Sequence, residues 1–205
     1  MMPDHTVVQF VCFETPLPRA AFVPGWAPFA GTFLAQGLRH IVLSERVGRC
    51  GAGPSFDFIS RNEWPEGAFA RAVRAGRIGD GAGGPVRAAQ GGAFRATEAA
   101  PPRARPDHDK VMALLRVPDR DPSALERAIA EAFAATPDTR LSLYRDAVAE
   151  HQRFDLVAEA YGARGQGGEI AARLEQAIAG AVDPNQSAVG IYREALALPL
   201  PPPTL

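Results

Sequence analysis

The sequence predicts an α+β fold made of two successive units, each with the element order strand, helix, strand, strand, helix, strand. Three observations predict it. Apolar residues alternate in short β-rich runs, they fall three or four apart in the segments between those runs, and dipeptides recur at one fixed offset. Phe56-Asp57 matches Phe154-Asp155, and Phe94-Arg95 is matched by Tyr192-Arg193, in both cases 98 residues on. Equal offsets inside the same element order point to an internal duplication.

Val7–Phe13 is the first β-rich run. Around Phe22–Gln36, the residues Phe22, Trp26, Phe29 and Phe33 recur at helical spacing. This stripe reads as core, with an aromatic pocket shared with Trp64 as the functional alternative. His40–Glu45 and Phe56–Ser60 are strands joined by Val47–Pro54, which has hairpin-loop composition. A helix from about Glu66 to Ala75, a Gly-rich loop over 76–92 and a strand at Ala93–Glu98 complete the first unit. That loop is long for a compact domain and is expected to be mobile or a lid. The second unit runs through a strand at Val111–Val117 and a helix opened by Pro122-Ser123 that reaches about Ala135. Strands at Leu141–Val148 and Phe154–Ala160, a helix over about Glu169–Ala179 and a last strand at Val189–Glu194 follow. Ser123 with Glu126 three residues on has the form of a capping box. The expected boundaries are 1–98 for the first repeat, 99–109 for a Pro- and Arg-rich linker, 110–198 for the second repeat and 199–205 for a proline-rich tail.

The chain has 205 residues, 46% of them apolar, and a formal net charge of −1. It is long enough for a real core and too apolar for disorder. Its charge offers no footprint for nucleic acid or an anionic membrane surface. No run of about 18 apolar residues crosses a bilayer, and Met1–Thr6 lacks the basic and apolar regions of a signal peptide. A cytoplasmic protein is expected. Cys12 and Cys50 are too few for a disulfide framework or a zinc cluster, so no metal is expected. Lys110 is the only lysine among 22 basic residues, a bias that reads as a GC-rich bacterial genome.

A βαββαβ unit is a ferredoxin-like fold, with both helices on one sheet face and the other face bare. The expected architecture is two tandem ferredoxin-like βαββαβ units whose antiparallel sheets pack bare face to bare face into an intramolecular α/β barrel. The element order, with Phe56–Trp64 followed by a short helix, resembles the dimeric α/β-barrel superfamily. Within it the chain looks like the EthD-like and stress-responsive members, in a tandem single-chain form. That resemblance implies monooxygenases, isomerases, haem enzymes or proteins of no known activity, so fold does not settle function. Related cofactor-free monooxygenases carry a histidine in the helix after the third strand, and residues 65–76 contain none. A haem-binding relative would want a helical axial histidine, and neither His108 nor His151 lies on a predicted helix.

The pleat separates two sheet faces. Val8, Phe10, Cys12, Phe56, Phe58 and Phe94 form the expected helix-side core. Gln9, Val11, Phe13, Asp57, Ile59, Arg61 and Arg95 are then expected to face the barrel interior. In the second unit Met112, Leu114, Arg116, Asp155, Val157, Glu159 and Arg193 take that face. Buried charges are costly unless paired, so Asp57, Arg95, Asp155 and Arg193 read either as cross-sheet ion pairs or as holders of a ligand anion. The candidate ligand-binding residues are Gln9, His40, Asp57, Arg61, Arg95, Arg116, Asp155 and Arg193. A lone strand histidine such as His40 or His151 is more often structural. The match of Gly79–Gly84 to G-x-G-x-x-G follows a helix and leads into Pro85, so no helix N-terminus is there for a pyrophosphate. No Walker motif or G-x-S-x-G elbow occurs.

Two function classes remain. One is an enzyme or binder of a small apolar or aromatic acid in the barrel cavity, without a bound cofactor. The other is a non-catalytic structural or ligand-binding barrel protein. A closed cavity of several hundred Å3 would favour the first, and an interior filled by side chains and paired charges the second. A small molecule and a second copy of the two-repeat chain are the partners this reading admits.

Overall fold

Period-two runs become strands and period-3.6 runs become helices in the computed structural model, which describes residues 5–51, 53–75, 81–83, 86–95, 107–118, 121–136, 138–145 and 153–198. The first half contains β1 (Thr6–Glu14), α1 (Arg19–Leu34), β2 (His40–Cys50), β3 (Phe58–Pro65), α2 (Glu66–Arg74), β4 (Gly81–Gly83) and β5 (Val86–Arg95). The second contains β6 (His108–Leu115), α3 (Ser123–Ala134), β7 (Arg140–Tyr144), β8 (Leu156–Ala163), α4 (Gly167–Ile178) and β9 (Ala188–Leu198). The strands form one antiparallel sheet in the order β4-β5-β1-β3-β2-β9-β6-β8-β7. First-half strands lie as β5-β1-β3-β2 and second-half strands as β9-β6-β8-β7. The halves meet where β2 pairs β9, from Ile41 opposite Leu198 to Cys50 opposite Val189.

The sheet curls into a half-barrel. β1 and β7 are six strands apart, about 29 Å in a flat sheet at about 4.8 Å per strand. Yet the Phe10 and Tyr144 rings lie 5.3 Å apart, and Phe56 meets Phe154 at 6.3 Å. Three apolar clusters result. Trp26 and Phe69 from α1 and α2 pack with Phe13, Phe58 and Trp64. Ile129 and Leu174 from α3 and α4 pack with Val111, Leu115 and Leu156. The third cluster holds no helical residue and joins Val8, Phe10, Phe56 and Phe94 to Met112, Tyr144, Phe154 and Tyr192 across the concave face.

Several expectations need correction. The faces of β1 are inverted: Val8, Phe10 and Cys12 face the concave interior, while Val7 and Phe13 face the helices. Both faces of this strand are apolar and covered, so alternation carries no inside-outside contrast. Phe56 and Phe94 are interior too, whereas Phe58 lies under the helices as expected. Part of the Gly-rich loop 76–92 is the β4–β5 hairpin. Gly91 is the extra residue of a bulge opposite Phe10 and Val11. A Cβ there would stand 3.1 Å from Cys12 Sγ and 3.2 Å from the Phe10 carbonyl oxygen. The capping box does not form: Ser123 N donates to Asp121 Oδ1 at 3.0 Å, and Glu126 pairs with Arg145 instead. The second strand of the second half ends at Tyr144. His151, most of the linker and the tail 199–205 lie outside the described residues.

Candidate functional site

One polar cluster interrupts the apolar concave face, at the end where β1 and β6 begin and β3 and β8 finish. Arg61 on β3 is 2% exposed. Its Nη1 donates to Glu159 Oε2 and to the Tyr161 hydroxyl, both at 2.9 Å, and its Nη2 donates to Glu63 Oε1 at 3.1 Å. The Tyr144 and Tyr161 hydroxyls donate to the same Glu159 oxygen at 3.0 Å. Lys110 Nζ stands 3.6 Å from Glu159 Oε1, and His40 Nδ1 stands 3.5 Å from Glu63 Oε1. The pleat explains the grouping: residues two apart on β3 and on β8 share the inward face.

Burial opposes ionisation of Glu159, but the charges of Arg61 and Lys110 and the hydrogen bonds outweigh it and hold the carboxyl below its usual range. Burial also opposes the Arg61 charge, which Tyr161, Glu159, Tyr144 and Glu63 together secure. Burial draws the Lys110 amine below its ordinary value, with Glu159 opposing and Arg61 adding. Burial, then the nearby Glu159, pushes Tyr144 and Tyr161 well up.

The candidates divide into three groups. Arg61 faces the interior as expected, and His40, for which no face was expected, lies beside Glu63 on that side. Gln9 does not: its Oε1 accepts from Asn62 Nδ2 and Trp64 Nε1 on the helix-covered face, because β1 is inverted. Arg95 and Arg193 also point outward, since Phe94 and Tyr192 beside them take the inward positions. Arg95 pairs with Glu66 at the start of α2 at 2.7 Å. Arg193 donates to Asp109 at 2.9 Å, and Asp109 also accepts the Gly165 and Gly167 amides before and at the start of α4. Asp57, Asp155 and Arg116 sit at strand ends rather than across the barrel. Asp57 accepts the Thr15 amide and Arg46, while Asp155 accepts the Val117 amide and Arg116. Each Asp thus staples the turn after the first strand of its half.

Asp155→Ala is expected to cost about 1–3 kcal/mol by leaving the Val117 amide unsatisfied. Asp57→Ala should cost less, because its side chain is 33% exposed against 14% for Asp155. Urea unfolding of the two variants checks the order.

Glu63, Lys110, Tyr144, Glu159 and Tyr161 were not among the candidates. A signal for part of the set existed: Arg61 and Glu159 are 98 residues apart, as are Glu63 and Tyr161. Opposite charges at equivalent positions of two facing sheet halves invite contact. For Lys110 the sequence carries only the oddity of being the sole lysine.

A haem does not fit the described residues. None of the four helices contains a histidine, and α3 and α4 lie directly on the sheet through Leu125, Ile129, Phe133, Ile170 and Leu174, each 5% exposed or less. Among the described residues no group of three His, Cys, Asp or Glu could hold a metal ion, and no helix is long and apolar enough to cross a membrane.

No protein-family model matches the chain. No curated protein matches it either. Solved structures do. An anthrone oxidase-like protein is 13% identical with a TM-score of 0.55, the match covering 96% of this chain and 93% of that one. Chlorite dismutase from Candidatus Nitrospira defluvii, in complex with imidazole, is 11% identical with a TM-score of 0.54, over 95% of this chain and 93% of that one. At such identities the likeness concerns fold alone, and the chain shares with these proteins a ferredoxin-like α+β fold.

Proposed function

We propose that this chain is a non-catalytic barrel protein in which two tandem ferredoxin-like units, residues 1–98 and 110–198 joined by 99–109, close an intramolecular α/β barrel around a structural core. An EthD-like or stress-responsive kinship, a cytoplasmic bacterial setting and the absence of a bound cofactor belong to this reading. The burial of the described concave-face side chains carries it. Phe10, Phe56, Phe94, Met112, Leu114 and Phe154 are each 0% exposed on the concave face. The charges beside them are spent on one another: Arg61 on Glu159 and Glu63, and Lys110 on Glu159. A buried network of this kind costs stability unless it is paired, and its best-attested use is to fix one mode of docking.

A second reading has its own observation. His40 Nδ1 and Glu159 Oε1 are buried without a hydrogen-bond partner, so the polar end could accept a small acid or carbon acid, with Glu159 as proton acceptor and Arg61 facing the resulting anion. The name of the anthrone oxidase-like neighbour supplies a probe. Anthrone and dioxygen give anthraquinone and water, so oxygen uptake and anthraquinone absorbance report turnover together. The expected result is a rate equal to the protein-free control. Turnover that disappears in Glu159→Gln would replace the structural reading by the catalytic one.

A further inference from the structure

A cavity lies away from the concave face, where the two halves of the sheet join. Its volume is about 290 Å3, at the lower bound of the roughly 300–1,000 Å3 of small-molecule sites. The end of β2 forms one wall, the last turn of α4 another, and the segment leading into β9 the third. Ile178, Val182 and Val189 make the lining apolar, Cys50 contributes a thiol and Glu175 a carboxylate.

The backbone builds this hollow. Gly51 and Gly180 hold left-handed φ values of +67° and +74°, and a Cβ on Gly180 would meet nothing within 4 Å. Gly53 is pressed against the opposite wall: a Cβ there would overlap the Ser187 carbonyl oxygen and stand 2.6 Å from that of Pro184. Chain from the first half therefore abuts chain from the second at a fixed distance, which preforms the cavity. A Cβ on Gly51 would lie 3.3 Å from Glu175 Oε1, so the carboxylate reaches the rim. Glu175 makes no hydrogen bond or ion pair with the described residues. It also raises the Cys50 thiol pKa, second to burial.

We infer that this cavity is a binding site for a small apolar amine, its hydrocarbon body between Ile178, Val182 and Val189 and its ammonium group against Glu175. Among the described residues the lining itself carries no positive charge, Arg49 reaching only the Gly53 carbonyl oxygen at 3.3 Å, so a carboxylic acid of the same shape would meet the Glu175 charge with no cation in the lining to offset it. The inference is independent of whether the barrel interior is structural or catalytic.

Two probes with one ring system test it, 1-naphthylmethylamine and 1-naphthoate. Calorimetry measures their binding, and iodoacetamide alkylation of Cys50 reports where they bind. Cys12, the other thiol, is 1% exposed with its pKa pushed up to about 12, so Cys50 is the reactive one in the folded protein. The amine is expected to bind with unit stoichiometry, at least tenfold tighter than the naphthoate, and to slow alkylation of Cys50 at least tenfold at saturation. Glu175→Gln should abolish the preference, and Ala179→Trp should fill the cavity and remove binding. Should Ala179→Trp fail to fold, protection of Cys50 in the wild-type chain decides the matter. Equal or tighter naphthoate binding, or alkylation that saturating amine leaves unchanged, overturns the proposal.

Discussion

Arg61→Met is expected to lower stability by about 3–5 kcal/mol, because it strands Glu159 and Glu63 without their shared guanidinium. In a chain of this size that corresponds to a fall of roughly 6–20 °C in Tm. The cost arises less from the lost attraction than from leaving carboxylates without compensation, Glu159 being 0% exposed. Replacing both partners, as Arg61→Met with Glu159→Leu, should therefore cost less than the two single changes added together. Thermal melting of the three variants measures this. An unchanged melt for Arg61→Met would show that the pair does not hold the halves together.

The second large effect appears in alkali. All three tyrosines of the chain, Tyr144, Tyr161 and Tyr192, are 2% exposed. Burial is the foremost reason that each hydroxyl is pushed up, and nearby negative groups add to it. A folded-state pKa above the unfolded value means the native chain holds those protons more tightly. The stability they contribute is fully present below about pH 10, the unfolded tyrosine value, and is lost as pH climbs above it. The slope for three protons is about 4 kcal/mol per pH unit. Lys110 has the opposite sign, since its amine is drawn down on folding, but it is one group against three. Tyrosinate absorbance at 295 nm should stay flat and then rise in a single cooperative step coincident with loss of circular dichroism. A tyrosine that titrates gradually while the fold persists would contradict the burial described here.

The order of helices and strands was legible because each element keeps one period over its length. Every predicted helix and all strands but the short β4 were placed, but β5 begins seven residues before the expected strand, inside the expected Gly-rich loop, and β2 runs on to Cys50 through part of the expected hairpin loop 47–54. Which face of β1 looks inward was not legible. Val7 and Val8 are both 0% exposed, as are Phe10 and its interior neighbour Phe94, so neither set of alternate residues is marked by polarity. Where one strand face carries charge the reading succeeded: Arg61 and Glu159 were both placed inward. Arg95 and Arg193 misled because a charge beside a sheet can turn outward to a helix terminus just as well, and Glu66 and Asp109 provide those partners. The cavity at Cys50 depends on the approach of Gly53 to Pro184 and Ser187, a contact between residues more than a hundred apart that no local period encodes.

The β2–β9 seam has a consequence for how the chain reaches its native state. Its register places Ile41 against Leu198 and Ser44 against Glu194, so strands far apart in sequence must find each other before the sheet is continuous. β9 is the last described strand in chain order, and it also completes the second half by pairing β6. During synthesis the first half must therefore wait with the edge of β2 unpaired until β9 has left the ribosome. Such long-range pairings slow folding and expose an open strand edge meanwhile. Arg46, Arg49 and Glu45 on β2 place charges along that waiting edge, where they disfavour pairing with a neighbouring nascent chain.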